Sequence, residues 1–154
     1  MKSCFDILKF ECENPEEYGF SKTYFFNSLK NRIVFAESGK EALRLRNRNI
    51  LVRVSGYPMD LELVRGFEGK NALFLLDFSE ILKTGKGKRA SVLKRMRNFA
   101  RMCSRYKVPF AVASFSENGA EMRTAEELVH IGFLIGLDRG EGRKALSRLE
   151  KILE

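Results

Sequence analysis

The stretch NALFLLDF, residues 71–78, restricts the fold of this chain more than any other segment. It is apolar without alternation. A strand with one face in water alternates apolar and polar side chains, whereas an unbroken run suits a strand covered on both faces, as in a parallel sheet flanked by helices. It is far too short to cross a bilayer, which takes about 20 apolar residues as a helix.

Such a strand requires covering helices, and the chain supplies them in alternation with further strands. CFDILKF at 4–10, RIVFAES at 32–38, NILVRVSG at 49–56 and a segment at about 109–114 read as strands. KEALRLRNR, after Ser38 and Gly39, reads as a helix with Ala42, Leu43 and Leu45 inward. MDLELVRGF is a short helix with Asp60 at its start, where a negative charge complements the helix dipole. Ala90–Tyr106 is the clearest helix. Thr124 opens another, running to about Ile135, with Glu127 three residues on completing a capping box and Gly136 ending it. Gly142–Leu153 reads as one amphipathic helix carrying Leu146, Leu149 and Leu153. ENPEEYG at 13–19 reads as a turn or one helical turn, SENGAEM as a turn, LKTGKGKR at 82–89 as a Gly/Lys loop, and the aromatic-rich FSKTYFFNSLK remains ambiguous.

Alternating strands and helices predict an α/β fold with a mostly parallel sheet. The chain has 154 residues, which suits one domain spanning 1–154. An eight-unit barrel usually needs about 200 residues or more, so an open sheet or a reduced, incomplete barrel is expected. Hydrophobic residues at 44% support a real core, and charged residues at 31% fit a soluble protein. No basic-then-apolar leader opens the sequence, so a cytoplasmic protein is expected. Cys4, Cys12 and Cys103 lack CxxC spacing and read as reduced thiols serving as small apolar residues.

Net charge is +8 and the pI about 9.6, which points to polyanionic partners. The charge is concentrated. From Ile81 to Ser116 there is no acid, and Lys88–Phe110 alone holds eight cations. On a wheel advancing about 100° per residue, Val92, Phe99, Ala100 and Cys103 gather around Met96. Lys94, Arg101 and Arg105 fall opposite, with Arg95 and Arg97 on the flanks. Solvated helices usually interleave acids with bases, because like charges at i,i+4 repel. Arg97, Arg101 and Arg105 are successive i,i+4 cations without an acid beside them. A polyanion would relieve that repulsion and release counterions.

Catalytic patterns are missing. HxH and HExxH do not occur, and the lone His130 lies in LVHIGFL, where a packing role is expected. GKGKR is not GxxxxGK[ST]. No residues are assigned as catalytic, cofactor-binding or metal-ligating.

A train of motifs in the C-terminal half resembles the archaeal ribonuclease P protein component 3 family. LLDFSEIL at 75–82 is similar to its strand and short loop, KRASVLKRMRNFARMCSRYKVPFAVAS at 88–114 to its basic helix and Lys-Tyr-x-Val-Pro strand. EMRTAEELVHIGFLIGL at 121–137 and KALS at 144–147 continue the order, and LVRVSGYPMDLELVRG at 51–66 more faintly matches a segment ending at Arg65. MRTA stands where the family commonly has Arg-Ser-Pro, SFSEN replaces a turn usually richer in small residues, and members are commonly longer.

The resemblance implies a reduced TIM-barrel-like domain, related to metal-dependent phosphoesterases but without their metal ligands. It implies a non-catalytic protein subunit of ribonuclease P, the endoribonuclease that removes the 5′ leader of precursor tRNA. Mg²⁺ is then expected in the RNA subunit and no cofactor in this chain. The implied partners are ribonuclease P RNA, protein component 2 in a heterotetramer, the other ribonuclease P proteins and precursor tRNA, with no membrane. Arg65, Lys88, Arg89, Lys94, Arg97, Arg101, Arg105 and Arg123 are the expected RNA-binding or partner-binding residues. Arg89 and Arg123 are expected to converge on one end of the sheet. Two other readings are a phosphoesterase that kept its activity, which calls for a His/Asp ligand cluster, and a basic interaction module docking an acidic protein.

Overall fold

A computed structural model describes residues 3–154; Met1 and Lys2, part of the expected 1–154 domain, lie outside the described residues. Six strands appear: β1 (Phe5–Leu8), β2 (Lys22–Phe25), β3 (Ile33–Ala36), β4 (Leu51–Val54), β5 (Leu73–Asp77) and β6 (Phe110–Ala113). All pairings are parallel, in a sheet of order β3-β4-β5-β6 and a second pair β1-β2. The two sheets meet where β1 runs beside β6. A parallel bridge joins Leu8 to Ser116 there, and the Phe115 and Lys9 amides donate to the Ile7 and Ser116 carbonyls at 3.0 and 2.8 Å. The strands therefore follow one another around an incomplete barrel, β1-β2 then β3-β4-β5-β6 and back to β1. Among the described residues, the β2–β3 seam has no strand pairing, and the β1–β6 seam has that isolated bridge in place of a ladder.

Two apolar clusters follow from this curvature. Successive strand residues point to opposite faces, and the inward set includes Phe5, Ile7, Tyr24, Ile33, Leu51, Leu73, Leu75, Ala111 and Ala113. The outward set, including Val52, Val54, Phe74, Leu76 and Val112, packs beneath helices. β5 is buried at every position, as an uninterrupted apolar strand between two layers must be.

The helices are α1 (Gly39–Arg44), α2 (Leu61–Gly66), α3 (Ser79–Lys83), α4 (Lys86–Arg105), α5 (Ala125–Leu134), α6 (Arg139–Ser147) and α7 (Leu149–Leu153). Ser38 and Asp60 cap α1 and α2 by accepting the Glu41 and Leu63 amides, both at 3.2 Å. Thr124 and Glu127 form the expected reciprocal capping box of α5, and Gly136 ends that helix at φ +85°, a left-handed conformation open to glycine.

Two expectations are corrected, and one open stretch is resolved. The segment read as a loop at 82–89 is almost wholly helical. α3 runs to Lys83, and α4 begins at Lys86 rather than Ala90, because Gly85 takes an extended N-cap conformation and its carbonyl receives the Lys88 and Arg89 amides at 3.0 Å. The last helix is two. α6 starts earlier, on a capping box between Asp138 and Glu141, and the chain bends at Arg148 into α7. The bend sends Leu146 to the outer cluster but Leu149 and Ile152 into the barrel interior, which one straight helix could not serve. The ambiguous aromatic stretch supplies β2 and the seam. Phe26 stacks on Phe35 at 6.0 Å, and both present to the edge of Phe115 at 5.7 and 6.4 Å, so aromatic packing bridges β2 and β3 where no ladder does.

Candidate nucleic-acid interface

In α/β barrels the chemistry gathers at the C-terminal ends of the strands, so the charge there matters first. Arg53, the third residue of β4, points inward toward the mouth and lies over the Phe35 ring at 4.8 Å. Its Nη1 donates to Asp77 at 3.0 Å and its Nη2 to Glu80 at 2.6 Å. Asp77 also accepts the Ser79 amide and hydroxyl at 2.9 and 2.5 Å. Burial pushes the Asp77 carboxyl above its ordinary range, against the pull of Ser79 and Arg53. The Tyr57 phenol, held at φ +45° beneath this cluster, accepts the Asp77 amide at 2.9 Å and is raised by burial and then by Glu80.

The donor set does not fit a metal. A guanidinium stands between the two nearest carboxylates, and among the described residues no group of three or more His, Cys, Asp or Glu side chains is placed to hold an ion. Sequence reasoning missed this network. The signal for Arg53 was its register opposite Phe35, inside a ring whose closure the sequence did not reveal.

The outer face of α4 treats charge in the opposite way. Met96, Phe99, Ala100 and Cys103 are buried, as the wheel required, and burial pushes the Cys103 thiol up to about 12. Phe99 meets Phe74 edge-on at 4.9 Å and Tyr57 at 5.7 Å. Lys94, Arg97, Arg101 and Arg105 are exposed, and among the described residues none of them has an ion pair. Arg97 lies along Gly136.

The remaining expected residues fall in three places. Lys88 and Arg89 occupy the first turn of α4, where no acid balances them and the helix dipole disfavours cations. The Arg89 guanidinium donates to the Thr84 carbonyl at 3.1 Å. Arg123 is exposed on the segment after β6 and lines a recess with Ser79, Lys83, Ser114 and Ser116. Arg89 and Arg123 thus both lie past the C-terminal ends of neighbouring strands, but Lys83 in that recess is already paired with Glu117 at 2.9 Å and Glu121 at 3.5 Å. Arg65, in α2, sits over the Tyr106 ring at 5.8 Å opposite Arg105 at 5.7 Å, and pairs with Glu68 at 3.6 Å. The ridge and Arg65 are therefore neighbours, whereas Arg123 belongs to a separate, partly neutralised recess.

Fold and site together define a class: an incomplete parallel α/β barrel with a self-neutralised mouth and a cationic outer helix. No family model matches the chain. Ribonuclease P protein component 3 of Natronomonas pharaonis is 26% identical over 133 residues, covering 83% of this chain and 56% of that protein. The protein of the same name from Archaeoglobus fulgidus is 23% identical over an alignment of 174 residues, covering 94% of this chain and 87% of its own length. The fold is also that of a chain in the cryo-EM structure of archaeal ribonuclease P with mature tRNA, at TM-score 0.66 and 14% identity, over 96% of this chain and 78% of that one. In sequence the chain is similar to ribonuclease P protein component 3 of these two archaea, and in fold to a chain of archaeal ribonuclease P. It spans 56% of the first relative's length.

Proposed function

We propose that this chain is a non-catalytic, RNA-binding protein subunit of ribonuclease P that supports 5′-leader removal from precursor tRNA. The observation that carries the reading is the α4 face, where Lys94, Arg97, Arg101 and Arg105 stand exposed without a carboxylate partner among the described residues. Charge left unneutralised along a helix is relieved by a polyanion, and backbone phosphates are the usual contacts by which proteins hold structured RNA. The names of the curated relatives and the assembly that holds the fold relative support the same assignment. In this reading the RNA subunit supplies the Mg²⁺ and the chemistry, and protein component 2 is the protein partner. Among the described residues no helix is long and apolar enough to cross a membrane.

Reconstitution tests it. An archaeal ribonuclease P RNA is combined with the other protein components, with and without this chain, and precursor-tRNA cleavage is measured across Mg²⁺ concentration. Cleavage should be stimulated by the chain, and the chain alone should cleave nothing with Mg²⁺, Mn²⁺ or Zn²⁺. Cleavage by the purified chain that a substitution within it abolishes would overturn the non-catalytic assignment. Failure to stimulate cleavage or bind the RNA would overturn the subunit assignment.

A further inference from the structure

The ridge is one wall of something larger. On the side of α4 facing α6, a surface groove is lined by Arg97, Arg101, Ser104 and Glu141. It is continuous, through Ser104 and Glu141, with a recess of about 270 Å³ lined by Lys107, Lys144 and Arg148 at the start of β6. Five cations from two helices and the chain just beyond them face this path: two on α4, Lys107 just beyond α4, Lys144 on α6, and Arg148 at the bend before α7.

The single acid on the path is already engaged. Glu141 Oε2 accepts the Asp138 amide at 2.8 Å as part of the α6 cap. None of the five cations has a carboxylate partner among the described residues. Arg148 is the unusual one. It is half-buried, and loss of solvent lowers its guanidinium from the ordinary value. Its Nη1 donates to the Phe110 carbonyl at 2.9 Å, which orients the group, and its charge lies 6.0 Å from the Phe110 ring. A guanidinium held in place, partly stripped of water and without a counter-ion is suited to an oxyanion, and its planar fork matches phosphate geometry. The Cys103 thiol at the edge of the recess is neutral and offers no competing anion.

We propose that the groove between α4 and α6 carries an RNA phosphodiester backbone and that the recess at Arg148, Lys144 and Lys107 seats one of its phosphates. The proposal rests on the reading of this chain as an RNA-binding subunit, and it adds a second wall and an end point to the ridge.

The test is fluorescence anisotropy of the full chain with a labelled 12-nucleotide oligouridylate across a KCl series, with a polyglutamate peptide as competitor. The groove variant is Lys107→Gln/Lys144→Gln, which removes two exposed charges from outside the core. A crest variant, Lys94→Gln/Arg105→Gln, removes two charges away from the recess. A melting curve checks each fold. The groove variant should lower the slope of log K against log[salt] by about 1.4, at about 0.7 per single-strand phosphate contact. Arg148→Lys should weaken binding with the slope kept, since charge remains and the fork is lost. Salt-dependent binding by the parent chain with an unchanged slope in the groove variant would overturn the groove while leaving the RNA reading intact. Displacement of the RNA by polyglutamate at equal charge concentration would point to an acidic protein and overturn it as well. No binding by the parent chain would bring down the groove and the RNA reading together.

Discussion

The barrel mouth and the outer face of α4 are both built around arginine, and the fold handles the two oppositely. At the mouth, Arg53 is held by Asp77 and Glu80 within 3.0 Å and covered by Phe35, with its side chain only 26% exposed. On α4, three successive arginines at i,i+4 are left to solvent without acids. The first arrangement consumes charge to hold strands together where a barrel enzyme would keep it for chemistry. The second leaves charge available at a cost in helix self-repulsion. This contrast is the ground for the proposal that RNA is held on the outside of the barrel rather than in its mouth.

Breaking α4's inner face should have the largest effect on stability. Phe99→Ala removes a ring between Phe74 and Tyr57 at a fully buried site, and a loss of about 3–5 kcal/mol is expected in urea unfolding. An unchanged midpoint would mean that the two faces of α4 are interchanged. Next is Arg53→Met, which keeps much of the volume but strands two carboxylates. A loss of about 3 kcal/mol is expected, at the low end for a broken buried pair because the side chain is partly exposed. Adding Asp77→Asn should recover part of it. If Arg53→Met costs no more than an exposed α4 arginine, the contrast between the two regions fails.

Much of the α4 contrast was legible beforehand, because a 3.6-residue period with segregated charge reports both faces of a helix without knowledge of its neighbours. The Thr124 cap, and the place of Asp60 at the start of α2, were legible for the same local reason. The mouth was not. Arg53 becomes inward-facing only once β4 is known to sit in a ring. That ring depends on β1 lying beside β6, a contact between segments more than 100 residues apart, sealed by Asp6 and Ser114. The groove was hidden too, since Lys107, Lys144 and Arg148 are unremarkable until the bend after α6 brings them beside α4.

Asp6 sharpens the comparison by showing a third treatment of charge. It is fully buried at the β1–β6 junction, where Oδ1 accepts the Ile7 and Ser114 amides at 2.9 and 2.7 Å and Oδ2 lies 2.5 Å from the Ser114 hydroxyl. Burial raises its carboxyl from 3.8 to about 7 despite those hydrogen bonds, with Asp77 adding a smaller push. Unlike Arg53 it has no counter-ion among the described residues, so the fold favours its neutral form. Between about pH 4 and pH 7 the unfolded chain releases a proton that the folded chain retains, so this group's contribution to stability is complete below pH 4 and is lost as pH rises through 7. The slope is at most about 1.4 kcal/mol per pH unit. Asp6→Asn keeps an acceptor for the two amides, and the Ser114 hydroxyl can turn to donate to Ser116, 3.0 Å away. The difference between the two proteins' pH–stability profiles should lie in that window. Parallel profiles from pH 4 to 7 would show that Asp6 is ionised in the fold.

The smallest effect on folding is expected on the ridge itself. Arg97→Gln/Arg101→Gln/Arg105→Gln removes three charges that have no carboxylate partner among the described residues, so no buried group is left uncompensated. Glutamine matches arginine closely in helix propensity, and loss of the i,i+4 repulsion offsets the lost packing of Arg97 against Gly136 and of Arg105 against Tyr106. Stability should change by less than about 0.5 kcal/mol, as for ordinary surface substitutions. Binding should respond quite differently. The slope of log K against log[salt] on a ribonuclease P RNA should fall by about 2–3, at slightly under one unit per lost duplex phosphate contact, and reconstituted cleavage should need more protein to saturate. This pairing of an unmoved melting curve with a collapsed salt dependence is the outcome that separates charge kept for a ligand from charge kept for the fold. If the triple variant binds with the parent slope, the ridge is a solvated face. If it melts well below the parent, its arginines are structural in the manner of Arg53.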